Sequence, residues 1–393
     1  MATRAAPMGR TRAAGLAVAT RSANDRLIVF LLLPVAILLI VGLGALMSAS
    51  SVIGLRDAAD KLFYFKRQVM FIGIGVVAFV VAVRVPYRWY SRLAPVILLA
   101  AIAGLVATLA VGEMRGGARS WIAAGPITLQ VSEFAKFAVV AFLASALTRK
   151  EGYLHRFGHV FWPVALSLGS VLLLLMLQPD LGTALLVVAA ALAVLAVSAV
   201  PMRHVLLLTV TGAAAGLVMA RAQPYRWRRI VSFLHPDADP LGDGLQAIQS
   251  LVALGTGRWF GVGLGASRAR WFFLPNAHTD FIFAIIGEET GLAGSLIVVA
   301  LLVMFAVVGV AIALRAPDMF GRLLAAGIVS WLSIQALVNV GGVTRVLPIT
   351  GVPLPFVSSG GSAMIVNMAV VGILVNVARS GRRGGMASHG ARS

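Results

Sequence analysis

The stretch LPNAHTDFIFAIIGEETG, Leu274 to Gly291, sets an apolar run between carboxylates: Asp280 stands just before Phe-Ile-Phe-Ala-Ile-Ile, and Glu288 and Glu289 close it. Beyond Gly291 the apolar character continues to residue 313, long enough to cross a bilayer core. Ionisable groups in or beside such a span are costly, so each invites a functional reading. On a straight helix, ~100° per residue sets Glu289 on the face opposite Asp280, and Glu288 about 80° around and ~12 Å along the axis. The three acids therefore do not form one cluster. Asp280, preceded by the polar His278 and Thr279, belongs at the water boundary, where a partly desolvated carboxylate accepts a proton from a hydroxyl. An N-cap of the following helix is the plain alternative, and the two roles are compatible. Glu288 and Glu289 lie deeper and read as partners of internal polar groups.

Working outward, the same apolar texture recurs along most of the 393 residues, which are 60% hydrophobic, 12% charged and have a mean hydropathy of +0.94. This is the composition of an all-α polytopic membrane protein, not of a soluble domain with one core. Ten spans are predicted, near 27–50, 69–84, 94–112, 133–148, 161–177, 183–200, 204–220, 281–313, 323–342 and 361–378. The eighth is long enough to begin as a separate half-helix. Residues 1–26 and 379–393 read as disordered basic tails on one cytoplasmic side, with Arg379, Arg382 and Arg383 as solvated charges. The run from Leu27 is too long for a signal-peptide core and reads as a retained span.

The net charge of +19 is spread over short loops and tails, which fits the fixing of membrane orientation and not nucleic-acid binding. With the N-terminus inside, 18 Lys and Arg fall on the inner side, against 8 on the outer side once the long loop 221–280 is set apart. That loop, between the seventh and eighth spans, carries Arg226, Arg228, Arg229, Arg258, Arg268 and Arg270, and its middle, Gly244 to Leu254, predicts a short amphipathic helix. Loops of this length are usually functional. There is no cysteine, so disulfides and thiolate metal sites are excluded, and the six histidines carry no H-E-x-x-H signature of a zinc hydrolase. GVGLGAS follows no strand of a βαβ unit and is no dinucleotide fingerprint.

On the ten-span reading, Arg119, Glu133, Lys136, Asp180 and Asp280 all map to the outer ends of helices, where they can converge on one cleft. Glu133 and Lys136, three residues apart on one helix face, are either a structural ion pair or catalytic groups. Asp180 in QPDLGT caps the next helix or supports a substrate-facing cation. Arg119, beside Trp121, is an interfacial anchor or a bidentate phosphate ligand.

Four separated motifs, LPNAHTDFIFAIIGEETG, QPDLGTA, GGARSWI…LQVSEFAK and LPITGVPLPFVSSGGSAM, together resemble the SEDS family of bacterial shape, elongation, division and sporulation proteins. SASSVIG, FKRQVMFIGIGVVAF, VPYRWYSRLAP and GVGLGASRARWFFLPNAHTD are most similar to its cell-division branch. The resemblance implies an inverting peptidoglycan glycosyltransferase that polymerises lipid II on the outer face of the bacterial cytoplasmic membrane, at the division septum. The family's essential aspartate matches Asp280, which would be the base on the acceptor sugar. Arg119 and Lys136, with Arg226 and Arg268 of the loop, would hold the pyrophosphate. Glu133 and Asp180 would orient those cations, with Trp121, His278, Thr279, Ser358 and Gly360 in support. Asn276, Thr290 and Ser359 depart from the family's usual Glu, Leu and Tyr. Carboxylates beside a pyrophosphate suit Mg²⁺ or Mn²⁺, though no cofactor is required by the sequence. Implied partners are membrane lipid, a class B penicillin-binding protein (an FtsI-like transpeptidase) and divisome activator proteins. A lipid II flippase, a recruiting scaffold, and the elongation or sporulation member of the family are the alternatives. A transporter would gather its polar groups near the midplane, and here they map to helix ends.

Overall fold

The computed structural model describes residues 8–115, 118–124, 127–221, 233, 244–271, 274–275 and 277–390. Its helices are α1 (Met8–Ala58), α2 (Phe63–Arg84), α3 (Arg88–Val111), α4 (Val131–Arg149), α5 (Phe157–Leu177), α6 (Leu181–Val197), α7 (Met202–Arg221), α8 (Leu245–Gly257), α9 (Ile282–Leu314), α10 (Met319–Val343) and α11 (Gly361–Gly390). Among the described residues, eight of these contain a stretch long and apolar enough to cross a membrane, and two shorter apolar stretches, Leu181–Val197 and Met202–Ala214, stand where the sixth and seventh spans are expected. The protein is thus a multi-pass helical membrane protein: among the described residues eight of the ten predicted spans are matched by a helix long enough to cross, and the sixth and seventh by shorter apolar helices.

Burial separates the helices into two classes. α4, α10 and α11 bury most of their apolar stretch inside the protein, while α1, α2, α3, α5 and α9 bury about a third or less. A helix that is apolar all round but largely uncovered by protein has lipid as its solvent. The central three carry the polar side chains Glu133, Lys136, Gln335, Asn339, Asn367 and Asn376, all buried.

The connection between α3 and α4 departs from the expected all-α pattern. It forms a three-stranded antiparallel sheet, β1 (Glu113–Arg115), β2 (Ala118–Ala124) and β3 (Ile127–Gln130), with Trp121 opposite Gln130. The sequence signal is the pair of breakers Gly116-Gly117 and Gly125-Pro126, which set off short runs that include Trp121, Ile122, Ile127 and Thr128. Helix also runs into the two tails, beginning at Met8 and continuing to Gly390. Extending an existing helix avoids the nucleation penalty, and the N-terminal segment is rich in Ala and Arg, both strong helix formers.

The eighth span is broken as its length suggests. Gly291, at φ 69° and ψ −165°, divides α9 into a short half, 282–290, and a long half. A break inside a membrane helix frees backbone groups that must be satisfied by protein. Here the turn after α8 satisfies them: Val262 N–H donates to the Glu288 carbonyl at 3.0 Å and Gly263 N–H to that of Glu289 at 3.2 Å. In return, Leu292 N–H donates to the Arg258 carbonyl at 2.8 Å and Ala293 N–H to that of Trp259 at 3.1 Å. The backbones approach so closely that a Cβ on Gly291 would lie 2.4 Å from the Gly261 nitrogen. α8 itself is the predicted amphipathic helix of the long loop. A Gly291→Ala substitution should therefore lower stability by about 2 kcal/mol or more, through positive φ and overpacking. Gly44→Ala, whose added methyl meets nothing within 4 Å, should leave the thermal unfolding midpoint in detergent nearly unchanged.

Candidate active site at one end of the bundle

Helix ends and loops enclose a cavity of about 800 Å³ at the end of the bundle where α3, α5 and α10 stop and α2, α4, α6, α9 and α11 start. Among the residues facing it are Arg67, Trp121, Gln130, Glu133, Asp180, His278, Thr279, Asp280, Arg345 and Gly360. The convergence expected from the sequence thus holds for Glu133, Asp180 and Asp280, together with Trp121, His278, Thr279 and Gly360.

Asp280 is half-buried and lies one residue before Phe281, which occupies the cap position of α9 without a side-chain capping bond. The N-cap reading of Asp280 is therefore corrected: the segment turns once more before the helix begins, and the carboxylate faces the cavity instead. Its backbone is held by three consecutive carbonyls. His278 C=O accepts from Ser359 N–H at 3.2 Å, Thr279 C=O from the Ser358 hydroxyl at 2.6 Å, and Asp280 C=O from Asn339 Nδ2 at 2.7 Å. Ser358 thus stands behind the cavity wall and acts through the backbone; its oxygen also accepts from Leu354 N–H at 2.8 Å. Gly351, at φ 73°, packs beside the carboxylate, where an added Cβ would lie 3.5 Å from Asp280 Oδ2.

Lys136 is placed differently from expectation. It is 1% exposed and does not face the cavity. Its Nζ donates to Glu133 Oε1 at 2.8 Å and to Gln335 Oε1 at 3.1 Å, and sits 4.8 Å from the Trp331 ring centroid. A buried ammonium must be paired, and this one is satisfied by α4 and α10 before any ligand arrives. Gln335 also accepts from Trp331 Nε1 at 2.9 Å and donates to the Pro353 carbonyl at 2.8 Å, so the pair is tied to the loop beside Asp280.

The other expected anion ligands are also elsewhere. The exposed Arg119 donates to the Leu109 carbonyl at 3.2 Å, one of the last carbonyls of α3, which lack a helical partner. Arg268 is exposed outside the cavity, with its backbone N–H on Glu288 Oε1 at 3.0 Å. Arg226 and Asn276 lie outside the described residues. Among the described residues, the arginines that do face the cavity are Arg67 and Arg345, which sequence reasoning misses. Arg67 donates to the Thr128 hydroxyl at 2.7 Å and lies 5.7 Å from the Phe71 ring centroid. Arg345 takes φ 59° just past α10, a strained conformation for a residue with a Cβ. Arg67 stands in the FKRQVMF motif and Arg345 beside a span end, and those positions are the signal the sequence offers.

Asp180 does cap α6, accepting from Thr183 N–H at 3.1 Å, and its second oxygen accepts from the Ser132 hydroxyl at 3.0 Å and Gln130 Nε2 at 3.4 Å. Among the described residues its partners are thus neutral donors and not the cation expected of a supporting role. Next to it, Gly182 lets the 350 loop approach, since a Cβ would lie 2.7 Å from the Thr350 carbonyl oxygen. Glu288 and Glu289 are buried away from the cavity, as their helix geometry requires. Glu288 accepts from the Ser267 hydroxyl and from Arg268 and Ala269 N–H groups, and Glu289 from the Ser48 hydroxyl. Burial holds the His278 imidazole below its ordinary range, with Asp57 partly offsetting the effect, and its ring lies 4.8 Å from that of Tyr64. His155 and His159 do have the H-x-x-x-H spacing of a metal pair, which sequence reasoning misses, but His159 stacks on Tyr153, and no group of three His, Cys, Asp or Glu assembles among the described residues.

The buried pair makes a direct expectation. Lys136→Met alone strands the Glu133 carboxylate and should destabilise the detergent-solubilised protein by about 3 kcal/mol or more. The double variant Glu133→Gln/Lys136→Met should recover most of that loss in thermal unfolding.

The family model described as "Cell cycle protein", named for FtsW, RodA and SpoVE, matches residues 28–383. Stage V sporulation protein E of Bacillus subtilis is 40% identical over 365 residues, covering 92% of this chain and 99% of its own. The probable peptidoglycan glycosyltransferase FtsW of Geobacter metallireducens is 40% identical over 352 residues, covering 89% and 94%. Among solved structures, a peptidoglycan synthase complex that coordinates polymerization and crosslinking contains a chain similar at TM-score 0.73 and 29% identity, over 89% of this chain and 97% of that one. The rod shape determining protein RodA of Thermus thermophilus is similar at TM-score 0.66 and 28% identity, over 89% and 96%. Matched over nearly its whole length, the chain belongs to the FtsW/RodA/SpoVE family, the SEDS proteins.

Proposed function

We propose that this protein is a peptidoglycan glycosyltransferase that polymerises lipid II into β-1,4 glycan strands, with Asp280 as the general base. The observation that carries the reading is one cavity holding a backbone-pinned carboxylate together with the guanidinium groups of Arg67 and Arg345. The acceptor sugar's 4-hydroxyl attacks the anomeric carbon of the donor. The bond to the pyrophosphate oxygen breaks, the lipid pyrophosphate leaves with the electron pair, and the hydroxyl proton passes to Asp280. Arg67 and Arg345 hold the charge that develops on the leaving group, as fixed cations in a partly desolvated site do. Glu133 and Asp180 act as positioning residues, one through Lys136 and the other through the start of α4.

A divalent cation is part of this reading only as a companion of the substrate's pyrophosphate. Glu133 is engaged by Lys136, and Asp180 by Ser132, Gln130 and Thr183, so few carboxylate oxygens remain for a cage built by protein alone. The basic-residue asymmetry supports both termini on the cytoplasmic side and the cavity on the outer face. The motifs nearest the division branch support a role in septal wall synthesis beside a class B penicillin-binding protein and its activators. The flippase reading is disfavoured by the position of the polar groups, which gather at helix ends and not in the middle of the bundle.

The decisive assay gives lipid II to the purified chain with its class B penicillin-binding protein. Wild type should form glycan, and Asp280→Asn should reduce polymerisation by about 100-fold or more at unchanged thermal stability. Glycan synthesis by that variant, or movement of lipid II between leaflets by a wild type that never polymerises, would sink the proposal. Arg67→Gln and Arg345→Gln should each lower kcat/KM roughly tenfold or more, the loss of one charge-assisted contact, whereas Arg119→Gln should have a smaller effect.

A further inference from the structure

At the opposite end of the bundle from the cavity, α3 begins, α4 ends and α5 begins, and these three enclose an apolar groove of about 250 Å³. Its walls are Pro95, Phe142, Ala146, Trp162, Pro163 and Leu166, and its mouth carries Arg149 and Lys150. The groove exists because two helices depart from regular geometry there. Pro95 has no N–H, which frees the Ser91 carbonyl four residues earlier. Pro163 opens α5 in the same way, and the next turn, Ala165–Gly169, is a π-helical segment, a feature frequent at functional sites. The Ser167 hydroxyl returns to the Pro163 carbonyl at 2.7 Å.

The freed Ser91 carbonyl is the reason Arg149 stands where it does. It accepts from Arg149 at 3.0 Å and from the Ser145 hydroxyl at 2.8 Å. One guanidinium nitrogen is thereby anchored by a fixed backbone oxygen, and the remaining donors of the fork stay at the groove mouth. Neither Arg149 nor Lys150 is in an ion pair among the described residues, and Glu151, next in the chain, is exposed and does not line the groove. Trp162, largely exposed on the outside of α5, has the position of an interfacial aromatic. An apolar slot between membrane helices, closed at the headgroup level by two cations, matches a molecule with a hydrocarbon chain and a phosphate. We propose that this groove binds an anionic phospholipid, its acyl chain against Pro95, Phe142 and Leu166 and its phosphate on Arg149 and Lys150. Basic pockets between transmembrane helices bind anionic headgroups by this combination.

The test uses the full chain in phosphatidylcholine nanodiscs that contain a minor amount of phosphatidylglycerol, with either lipid brominated on its acyl chains. The Trp162 contribution is the fluorescence difference between wild type and Trp162→Phe. Brominated phosphatidylglycerol should quench it at a membrane content on the order of 30-fold lower than brominated phosphatidylcholine, the selectivity expected of two interfacial cations. Arg149→Gln/Lys150→Gln should abolish the preference, and Arg149→Lys/Lys150→Arg should keep it. Equal quenching by the two lipids, or a preference that survives neutralisation, would overturn the proposal. Native mass spectrometry of wild type provides a check independent of variant folding: phosphatidylglycerol should remain bound in preference to phosphatidylcholine, and equal retention refutes the site.

Discussion

Three successive backbone carbonyls, those of His278, Thr279 and Asp280, are each gripped by a donor from another part of the chain. A carbonyl without a partner at membrane depth is costly, so the segment has little freedom to turn otherwise. The donors are themselves fixed. Asn339 divides its amide between Asp280 and the Val352 carbonyl, and one helical turn earlier Gln335 holds the Pro353 carbonyl and the buried Lys136. One face of α10 therefore sets the 350 loop, the α4 ion pair and the Asp280 backbone together. The aim of the Asp280 carboxylate depends on this arrangement, because a side chain can be placed only as well as its backbone is held.

The broken α9 extends the same logic to the membrane. α9 is not one straight span. The break at Gly291 instead lets the short half and α8 form one unit through exchanged backbone hydrogen bonds, with Glu288 satisfying the 267–269 turn. The glycines at 261 and 291 are needed because the two backbones touch there with φ values only glycine takes easily. Carboxylates that look like an acidic cluster in the sequence thus do separate work: Asp280 faces the cavity, Glu288 holds the irregular 267–269 backbone, and Glu289 ties α9 to Ser48 of α1.

Much of this is legible in the amino-acid sequence alone. The membrane spans and the possible break in the eighth follow from apolar run lengths, which the bilayer thickness makes unusually informative, and α8 follows from its amphipathic pattern. Asp280, Asp180 and Glu133 are legible because acids are scarce, 14 in all, and those beside apolar runs stand out. The cations are not. With 33 Lys and Arg, proximity to a helix end does not say which guanidinium faces inward. Arg119 is drawn to the frayed end of α3 and Lys136 is consumed by Glu133 and Gln335, while Arg67 and Arg345 line the cavity through tertiary packing alone. The small sheet escapes notice because Gly-Gly and Gly-Pro breakers serve as well for punctuation between spans as for hairpin turns.

The most direct measurement is a structure of the chain with its class B penicillin-binding protein and lipid II bound. The pyrophosphate is expected between Arg67 and Arg345, with an acceptor 4-hydroxyl within about 2.6–3.2 Å of the Asp280 carboxylate. A sugar bound far from Asp280, or a pyrophosphate lodged at the middle of the bundle, would contradict it.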